Sequence, residues 1–491
     1  MYRASATLEI LDEVNVRFRR LDADTLKVCS GLLAYYVNGY RFSEKFALGW
    51  WDGKIRLFNA ESGKTFLNLI DTVLPLIERN YDLDLIDYRA DYSEQVTLIK
   101  PVAEDYFAEY RMVDKATDIE GPVILRAHQL DAINTCIEHG TGLFEIATGG
   151  GKTLCCAVLA KVYSAVGNVV VIVPSSDLIL QTRGKFRAVG LDCGIWYGEE
   201  KERKPITVST WQSLNNYADE LFEGVLTVIV DEVQGAKAKV LGEILGGPGR
   251  NVPFRFGCTG TLPKEDLSRQ QIISVVGQPR TKATPRDLQN LGLLSQAEVH
   301  QVMLNDRANR SYIRAVGGTK AKDGHAEWND ELAWFANETR RMEWIATFLR
   351  AIAEQGNTLV VCERMVLIDA FRALLPEAIV ITGEDSAKTV RAPAWERFSK
   401  MDNGILICTS GIGSVGIDIP SIMNVVPFEL GKAAIKIMQT MGRGLRPIPG
   451  KLLMLYDIYG NAKLSKKHAN ERRKAFEEYG QIVHHTEADY L

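Results

Sequence analysis

The sequence predicts an α/β protein: two tandem, doubly wound parallel-sheet lobes preceded by a small α+β amino-terminal domain. Three observations carry that reading. From Leu125 to about Val299, short apolar runs alternate with helical segments, the rhythm of parallel strands joined by crossover helices, and a second such series follows. The first series holds a glycine-rich loop, Ala147-Thr-Gly-Gly-Gly-Lys-Thr153, between an apolar run and a helical segment. The second series has no such loop, but it ends near Arg443 and Arg446, which sit one turn apart on a helix.

The elements follow in chain order. The amino-terminal domain is assigned residues 1–112. It opens on a strand pair around Leu8–Ile10 and Val14–Phe18, then a helix from about Ala23 to Val37. Ser62-Gly-Lys-Thr65 imitates the end of a phosphate loop, but Phe58 stands where the outer glycine belongs, so it reads as a hairpin turn. The first lobe is assigned 113–300, with strand candidates Leu143–Ala147, Val169–Pro174, Ile206–Thr210, Thr227–Asp231 and Arg255–Thr259. The second lobe is assigned 301–491, with candidates Thr358–Cys362, Ala378–Thr382, Gly404–Thr409, Asn424–Phe428 and Leu452–Asp457. The stretch from Asn305 to Asn337 contains Gly317-Gly318 and reads as loop-rich. Farther on, Lys466-Lys467-His468 and Arg472-Arg473-Lys474 read either as a solvated helix face or as a nucleic-acid contact.

Composition bounds the class. A chain of 491 residues fits about three domains. With 46% hydrophobic and 24% charged residues it is an ordinary globular protein with ample core. No apolar run is long enough to cross a bilayer, and the first residues lack a signal-peptide stretch. The eight cysteines include no Cys-x-x-Cys pair, which argues against a zinc or iron–sulfur site and fits a reducing cell interior. The net charge of −4 gives no general support for nucleic-acid binding, so local patches matter more.

The loop carries the most constrained chemistry. Glycines let backbone N–H groups turn inward around phosphate oxygens, and the following helix aims its positive end at them. Thr148, Gly149, Gly150 and Gly151 would cradle the phosphates, Lys152 would reach the β- and γ-phosphates, and the Thr153 hydroxyl would hold Mg²⁺. A strict phosphate-loop pattern wants glycine where Ile146 stands, so this is a variant form. Asp231-Glu232 ends the apolar run Leu226-Thr-Val-Ile-Val230. That strand would deliver both carboxylates to the crevice where open α/β sheets bind ligands. Asp231 would hold Mg²⁺, and Glu232 would orient and deprotonate an attacking water.

Further motifs follow in a fixed order. Arg126-Ala-His-Gln129 precedes the loop strand; Pro174-Ser175, with Gln181, and Ser209-Thr-Trp-Gln212 fall just past strand ends. Thr259-Gly-Thr261, then Thr409-Ser-Gly411 through Gly416-Ile-Asp418, then Gln439-Thr-Met-Gly-Arg-Gly-Leu-Arg446 complete the set. The ordered set resembles the motifs of superfamily 2 helicases, and in particular the UvsW-type helicases of tailed phages. The loop resembles helicase motif I. The resemblance covers Leu125 to about Asp457 and implies two RecA-like lobes.

It also implies roles. Arg126 and Gln129 would recognise adenine, making ATP the fuel. Pro174, Ser175, Gln181, Thr210 and Gln212 would hold backbone phosphates, as would Thr409 or Ser410. Thr259 and Thr261 would link the nucleotide site to the track, with Gln234 bridging to them where such helicases often carry histidine. Gly416 and Asp418 would lie near the ribose or the arginine helix. Gln439, Arg443 and Arg446 would face the γ-phosphate from the second lobe. In the amino-terminal domain, Gly39-Tyr-Arg-Phe42 before Trp51-Asp-Gly-Lys54 resembles the UvsW-type amino-terminal domain. Aromatics interleaved with Arg41, Lys54 and Arg56 suit base stacking and phosphate contact; an aromatic core with exposed cations explains the same letters.

The resulting expectation is an ATP-dependent helicase or translocase acting on branched or forked DNA, with RNA left open as a track, no membrane partner and an open oligomeric state. The resemblance implies a cytoplasmic enzyme, in the host cell if phage-encoded. Two alternatives come from other classes: a duplex-translocating motor subunit of a restriction system, and a nucleic-acid-binding scaffold with a regulatory ATPase.

Overall fold

A computed structural model describes residues 3–114, 119–234, 238–315, 324–413, 419, 421–431, 451–478 and 481–490. The chain forms two compact units. The first holds the amino-terminal part through Ala283, apart from the short segments 113–120 and 147–150; the second holds those segments and Thr284 onward.

The first unit is built on an eight-stranded sheet. Its spatial order is Glu200–Lys201, Gly194–Tyr197, Ile206–Thr210, Asn168–Val173, Val225–Val230, Phe254–Thr259, Thr141–Ile146 and Pro279–Ala283. All pairs are parallel except the outermost, Gly194–Tyr197 with Glu200–Lys201. The central strands are almost wholly apolar, as sheets covered on both faces require. Each of the five strands expected here is present, shifted by a residue or two at its ends.

The amino-terminal segment is not a free-standing module. Its four-stranded sheet, in the order Lys64–Phe66, Asn15–Arg19, Ala4–Ile10 and Tyr81–Asp87, packs into the same hydrophobic core as the large sheet. Ala6, Val16, Phe58 and Ile77 belong to one cluster with Leu214, Leu241, Val275 and Val276. The Asn68 side chain donates to Ser274 O at 3.3 Å, and Gln278 donates back to Asn68 O at 2.6 Å. The expected helix from Ala23 ends at Leu32, because Ala34–Tyr36 instead pairs as a strand with Lys54–Arg56. Of the Ser62–Thr65 decoy, Ser62 and Gly63 lie in a turn closed by Gly63 N to Asn59 O, as expected, while Lys64 and Thr65 already belong to the strand. A side chain at Gly63, whose φ is +68°, would collide with Phe18 O.

Arg255 shows how the unit's helices are held. It is wholly buried on its strand, yet its guanidinium donates to Leu245 O (2.6 Å), Gly249 O (3.0 Å) and Val275 O (3.0 Å). The Leu245 and Val275 carbonyls end helices Ala238–Gly246 and Asp266–Val276, where intrahelical donors run out, and Gly249 lies in the short turn Pro248–Asn251. Burial pulls the guanidinium down to about 10. Arg255→Met fills similar space but takes the side-chain donor away from the buried carbonyls of Leu245 and Val275, while Gly249 O keeps its bond from Val252 N, so it should lower stability by about 3 kcal/mol. Urea unfolding would read this directly. A loss under about 1 kcal/mol would mean water replaces the guanidinium there.

The second unit carries a seven-stranded parallel sheet. Its order is Ile379–Ile381, Ile405–Thr409, Asn357–Cys362, Ile422–Phe428, Leu452–Gly460, Gln296–Leu304 and Ile482–Ala488. Two sequence expectations are corrected here. Gln296–Leu304 pairs in this sheet, so the lobes divide at Ala283/Thr284 rather than at 300/301. Within the stretch read as loop-rich, Arg310–Ala315 and Gly324–Asn337 are helical, with Leu332 and Phe335 buried in the core.

Candidate active site and nucleic-acid interface

Three neighbouring strands of the first unit position the nucleotide chemistry. Thr141–Ile146 leads into the glycine loop, Val225–Val230 leads into Asp231-Glu232, and Phe254–Thr259 lies between them. Because all run parallel, their carboxyl ends share one edge of the sheet. Gly149 has φ +95° and Gly151 φ +92°, backbone that residues with a Cβ rarely adopt. Helix Lys152–Ser164 begins immediately after Gly151.

Lys152 is buried, with Nζ donating to Ile146 O at 3.2 Å and lying 3.3 Å from Glu232 Oε1. Burial opposes its charge, but Glu232 and Asp231 outweigh burial and raise its pKa. For Glu232, burial pushes the carboxyl up, while Lys152 and the Gln234 amide more than offset this and hold it low. Asp231 moves the other way, raised by burial and by Glu232 beside it. Its Oδ1 accepts the Cys258 thiol at 2.9 Å, a contact the sequence did not signal. Glu232 also sits at φ +50°, strained backbone of the kind that gathers at functional sites.

A hydrogen-bond chain leaves this site. Gln234 Nε2 donates to Glu232 Oε2, Thr259 Oγ1 donates to Gln234 Oε1, and Thr261 N donates to Thr259 Oγ1 at 3.1 Å. The Gln234 side chain thus bridges Glu232 and Thr259. Gln129 is buried rather than on a helix surface. Its Oε1 accepts from Arg126 N at 2.9 Å, and its amide lies so close to Gly151 that a Cβ there would strike it. Arg126, half-buried, immediately precedes helix Ala127–His139.

The backbone-contact candidates also fall at strand ends. Pro174 and Ser175 follow strand Asn168–Val173, and Gln181 lies on helix Ser176–Arg187. Thr210 caps helix Trp211–Phe222, accepting from Ser213 N at 3.2 Å, and the exposed Gln212 side chain reaches Pro174 O at 3.4 Å. In the second unit, Thr409 ends strand Ile405–Thr409, and Ser410 starts the turn of helix after it. Gly416, Asp418, Gln439, Arg443 and Arg446 lie outside the described residues.

In the amino-terminal segment the two explanations of the aromatic motif divide the residues between them. Tyr36 stacks on Tyr40 at 4.5 Å, Phe46 meets Tyr40 edge-on at 4.8 Å, and Gly53 turns tightly against the Tyr40 ring. Phe42 and Trp50, however, are 77% and 78% exposed. Lys54 lies over the Tyr36 ring at 4.7 Å and Arg41 over Tyr40 at 5.6 Å. Arg56 pairs with Asp52 at 2.5 Å, so its charge is already answered locally.

Comparison with known proteins agrees with this geometry. A family model described as type III restriction enzyme, res subunit, matches residues 122–264; one for the amino-terminal part of DNA helicase UvsW matches 14–85; one for the helicase conserved C-terminal domain matches 340–447. The chain is 24% identical over 478 residues to the ATP-dependent DNA helicase uvsW of Enterobacteria phage T4, spanning 93% of this chain and 91% of that protein. It is 24% identical over 393 residues to the DNA 3'-5' helicase XPB of Kineococcus radiotolerans, spanning 74% and 65%. A solved fragment described as the HsdR subunit of a type I restriction enzyme from Vibrio vulnificus shares the fold, with TM-score 0.56 and 19% identity, over 81% of this chain and 73% of that one. Two parallel-sheet lobes with this phosphate loop, acidic pair and helicase matches define an ATP-dependent helicase of superfamily 2. Within that superfamily its amino-terminal match and its likeness over 93% of the chain are to UvsW helicases. Among the described residues no helix is long and apolar enough to cross a membrane.

Proposed function

We propose that this helicase remodels branched or forked DNA, with ATP and Mg²⁺ driving alternate grip on one strand. The observation that supports the branched substrate is the amino-terminal segment: exposed Phe42 and Trp50 beside Arg41 and Lys54, on a body that shares its core with the nucleotide site. Aromatic faces stack on unpaired bases whatever their sequence, and unpaired bases occur where a duplex branches. Arg56 would exchange Asp52 for a phosphate.

The nucleotide roles rest on the strand-edge geometry. Lys152 and the loop amides of Thr148 to Gly151 hold the phosphates, Arg126 and Gln129 the adenine. Thr153 and Asp231 present a hydroxyl and a carboxylate, the hard oxygen donors Mg²⁺ takes, and the metal neutralises developing phosphate charge when bound. Glu232 takes the proton of the attacking water. Gln234, Thr259 and Thr261 transmit nucleotide state toward Pro174, Ser175, Gln181, Thr210 and Gln212, with Thr409 and Ser410 gripping from the second lobe. By the resemblance of their motifs, Gln439, Arg443, Arg446, Gly416 and Asp418, outside the described residues, are the further candidates for acting on the nucleotide.

A steady-state ATPase assay with and without forked DNA, run beside fork unwinding and duplex-translocation assays, tests the reading. DNA-stimulated hydrolysis with unwinding is expected. Translocation without unwinding would favour a restriction-type motor, the reading to which the match over 122–264 points. DNA-independent hydrolysis would favour a scaffold.

The amino-terminal contact has its own test. Phe42→Ala with Trp50→Ala should weaken fork affinity by about fivefold or more, since base–aromatic stacking is worth about 1–3 kcal/mol per base. Both side chains are exposed, so thermal melting should not change. Unchanged fork affinity would return the pair to ornament on the surface of the module.

A further inference from the structure

Near its carboxyl end the second unit carries helix Lys463–Glu478, whose sequence is dense in cations. The fold sorts those cations into two sets. Arg472 is buried against Asp457, with Nη2 at 2.8 Å from Oδ1, and it also donates to Gly431 O at 2.6 Å. His468 is buried edge-on against Trp328 at 4.6 Å. These two hold the helix to its sheet and are not available to a ligand.

Arg473 pairs with Glu477 at 3.1 Å, and the other cations form a track. Lys463, Lys467, Asn470 and Lys474 follow one another at helical spacing on a single face, with Lys466 beside them. Arg307 joins them from outside the helix, because its backbone N donates to Asn461 Oδ1 at 2.8 Å and so fixes it near the helix start. Arg307, Lys463, Lys466, Lys467, Asn470, Glu471 and Lys474 line one shallow recess of about 420 Å³. Among the described residues Glu471 is its only acidic lining residue. Among the described residues Lys466, Lys467 and Lys474 have no ion-pair partner, and each is exposed.

Five cations around one recess are a sharp departure in a chain of net charge −4. Lys466, Lys467 and Lys474, exposed and close together, repel one another, and a polyanion relieves that repulsion. Lysines are compact, hydrated point charges suited to phosphates rather than to reading base edges. From Lys463 to Lys474 the stripe runs about 16 Å along the helix axis, enough to meet about four or five phosphates of one strand. Its position fits the same track as the motor. Arg307 follows the carboxyl end of strand Gln296–Leu304 and Lys463 that of Leu452–Gly460, on the sheet edge that also carries Thr409 and Ser410.

We propose that Arg307 and the Lys463–Lys467–Lys474 face, with Lys466, form an accessory phosphate-binding track that holds the backbone of a DNA strand outside the helicase motifs. This rests on the helicase reading, since the occupant is the strand the motor moves on.

The test uses the full chain and a forked oligonucleotide, with affinity measured by fluorescence anisotropy across a salt series. The triple variant Lys466→Ala, Lys467→Ala, Lys474→Ala should bind more weakly and lose about two to three units of the slope of log affinity against log salt. Lys466→Arg, Lys467→Arg, Lys474→Arg keeps the charge and should keep the slope. Thermal melting of both variants checks the fold, and these exposed positions should not alter it. If wild-type ATPase is stimulated by DNA but the alanine variant keeps the wild-type slope, the track is wrong and the helicase reading stands. If DNA neither binds nor stimulates the wild-type chain, both fail.

Discussion

Glu232→Gln should retain ATP binding and lose turnover by about 10²–10⁴-fold, the contribution general bases make. Its carboxylate stands at the end of a buried strand, beside Asp231 and 3.3 Å from the Lys152 ammonium. Lys152 and Gln234 hold it ionised in spite of burial, the form a base must have before it takes a proton. Glutamine keeps the volume and can still accept from Gln234, so the loop, the metal ligands and the strained turn should survive. What disappears is the proton acceptor and one negative charge facing Lys152. Nucleotide affinity should therefore hold or tighten while steady-state hydrolysis collapses. Lys152→Ala makes the contrast, because it removes a phosphate contact and should weaken binding and turnover together. Wild-type hydrolysis by the glutamine variant would move the base elsewhere.

Arg443→Ala or Arg446→Ala should lower kcat by about 10³–10⁵-fold, the range for arginines that meet a phosphoryl transition state. This expectation rests on the sequence Gln439-Thr-Met-Gly-Arg-Gly-Leu-Arg446 and on the match over 340–447 to the helicase C-terminal family. The chemistry of the first unit supports it. Its nucleotide site has one cation at the phosphate loop, Lys152, and two carboxylates beside it. Charge that grows on the γ-phosphate needs a further donor, and the second series of strands has no phosphate loop of its own. Single-turnover hydrolysis with unaltered melting temperature is the expected signature. Normal turnover with reduced stability would make them structural arginines.

The candidate hydrolysis site was legible because its parts are local. A phosphate loop is one strand, one turn and one helix start, and Ala147 to Thr153 spells all three. Strand ends such as Thr210 and Thr409 were equally readable, since apolar β-branched runs stop where the strand stops. Elements that failed to register depend on distant partners. Gln296–Leu304 mixes polar and apolar residues, and its neighbours in the sheet are Leu452–Gly460 and Ile482–Ala488. Nothing within nine residues says which lobe it joins. Ile482–Ala488 is an edge strand with two histidines and a glutamate, so its pattern resembles a loop.

The sequence alone therefore determined the two-lobed motor, the phosphate loop, the acidic pair and the order of the motifs, because each is encoded by neighbouring residues whose backbone and chemistry act over a few ångströms. Only the tertiary structure decided that the amino-terminal segment shares a core with the first lobe, that Gln129 is pressed against Gly151, and that Phe42 and Trp50 face solvent while Tyr40 packs. It also decided which cations of the last helix are spent, Arg472 on Asp457, and which stand open, Lys466, Lys467 and Lys474. The reason is physical: a charged side chain reads the same in sequence whether solvated or buried, and its fate is set by partners that only folding brings within reach.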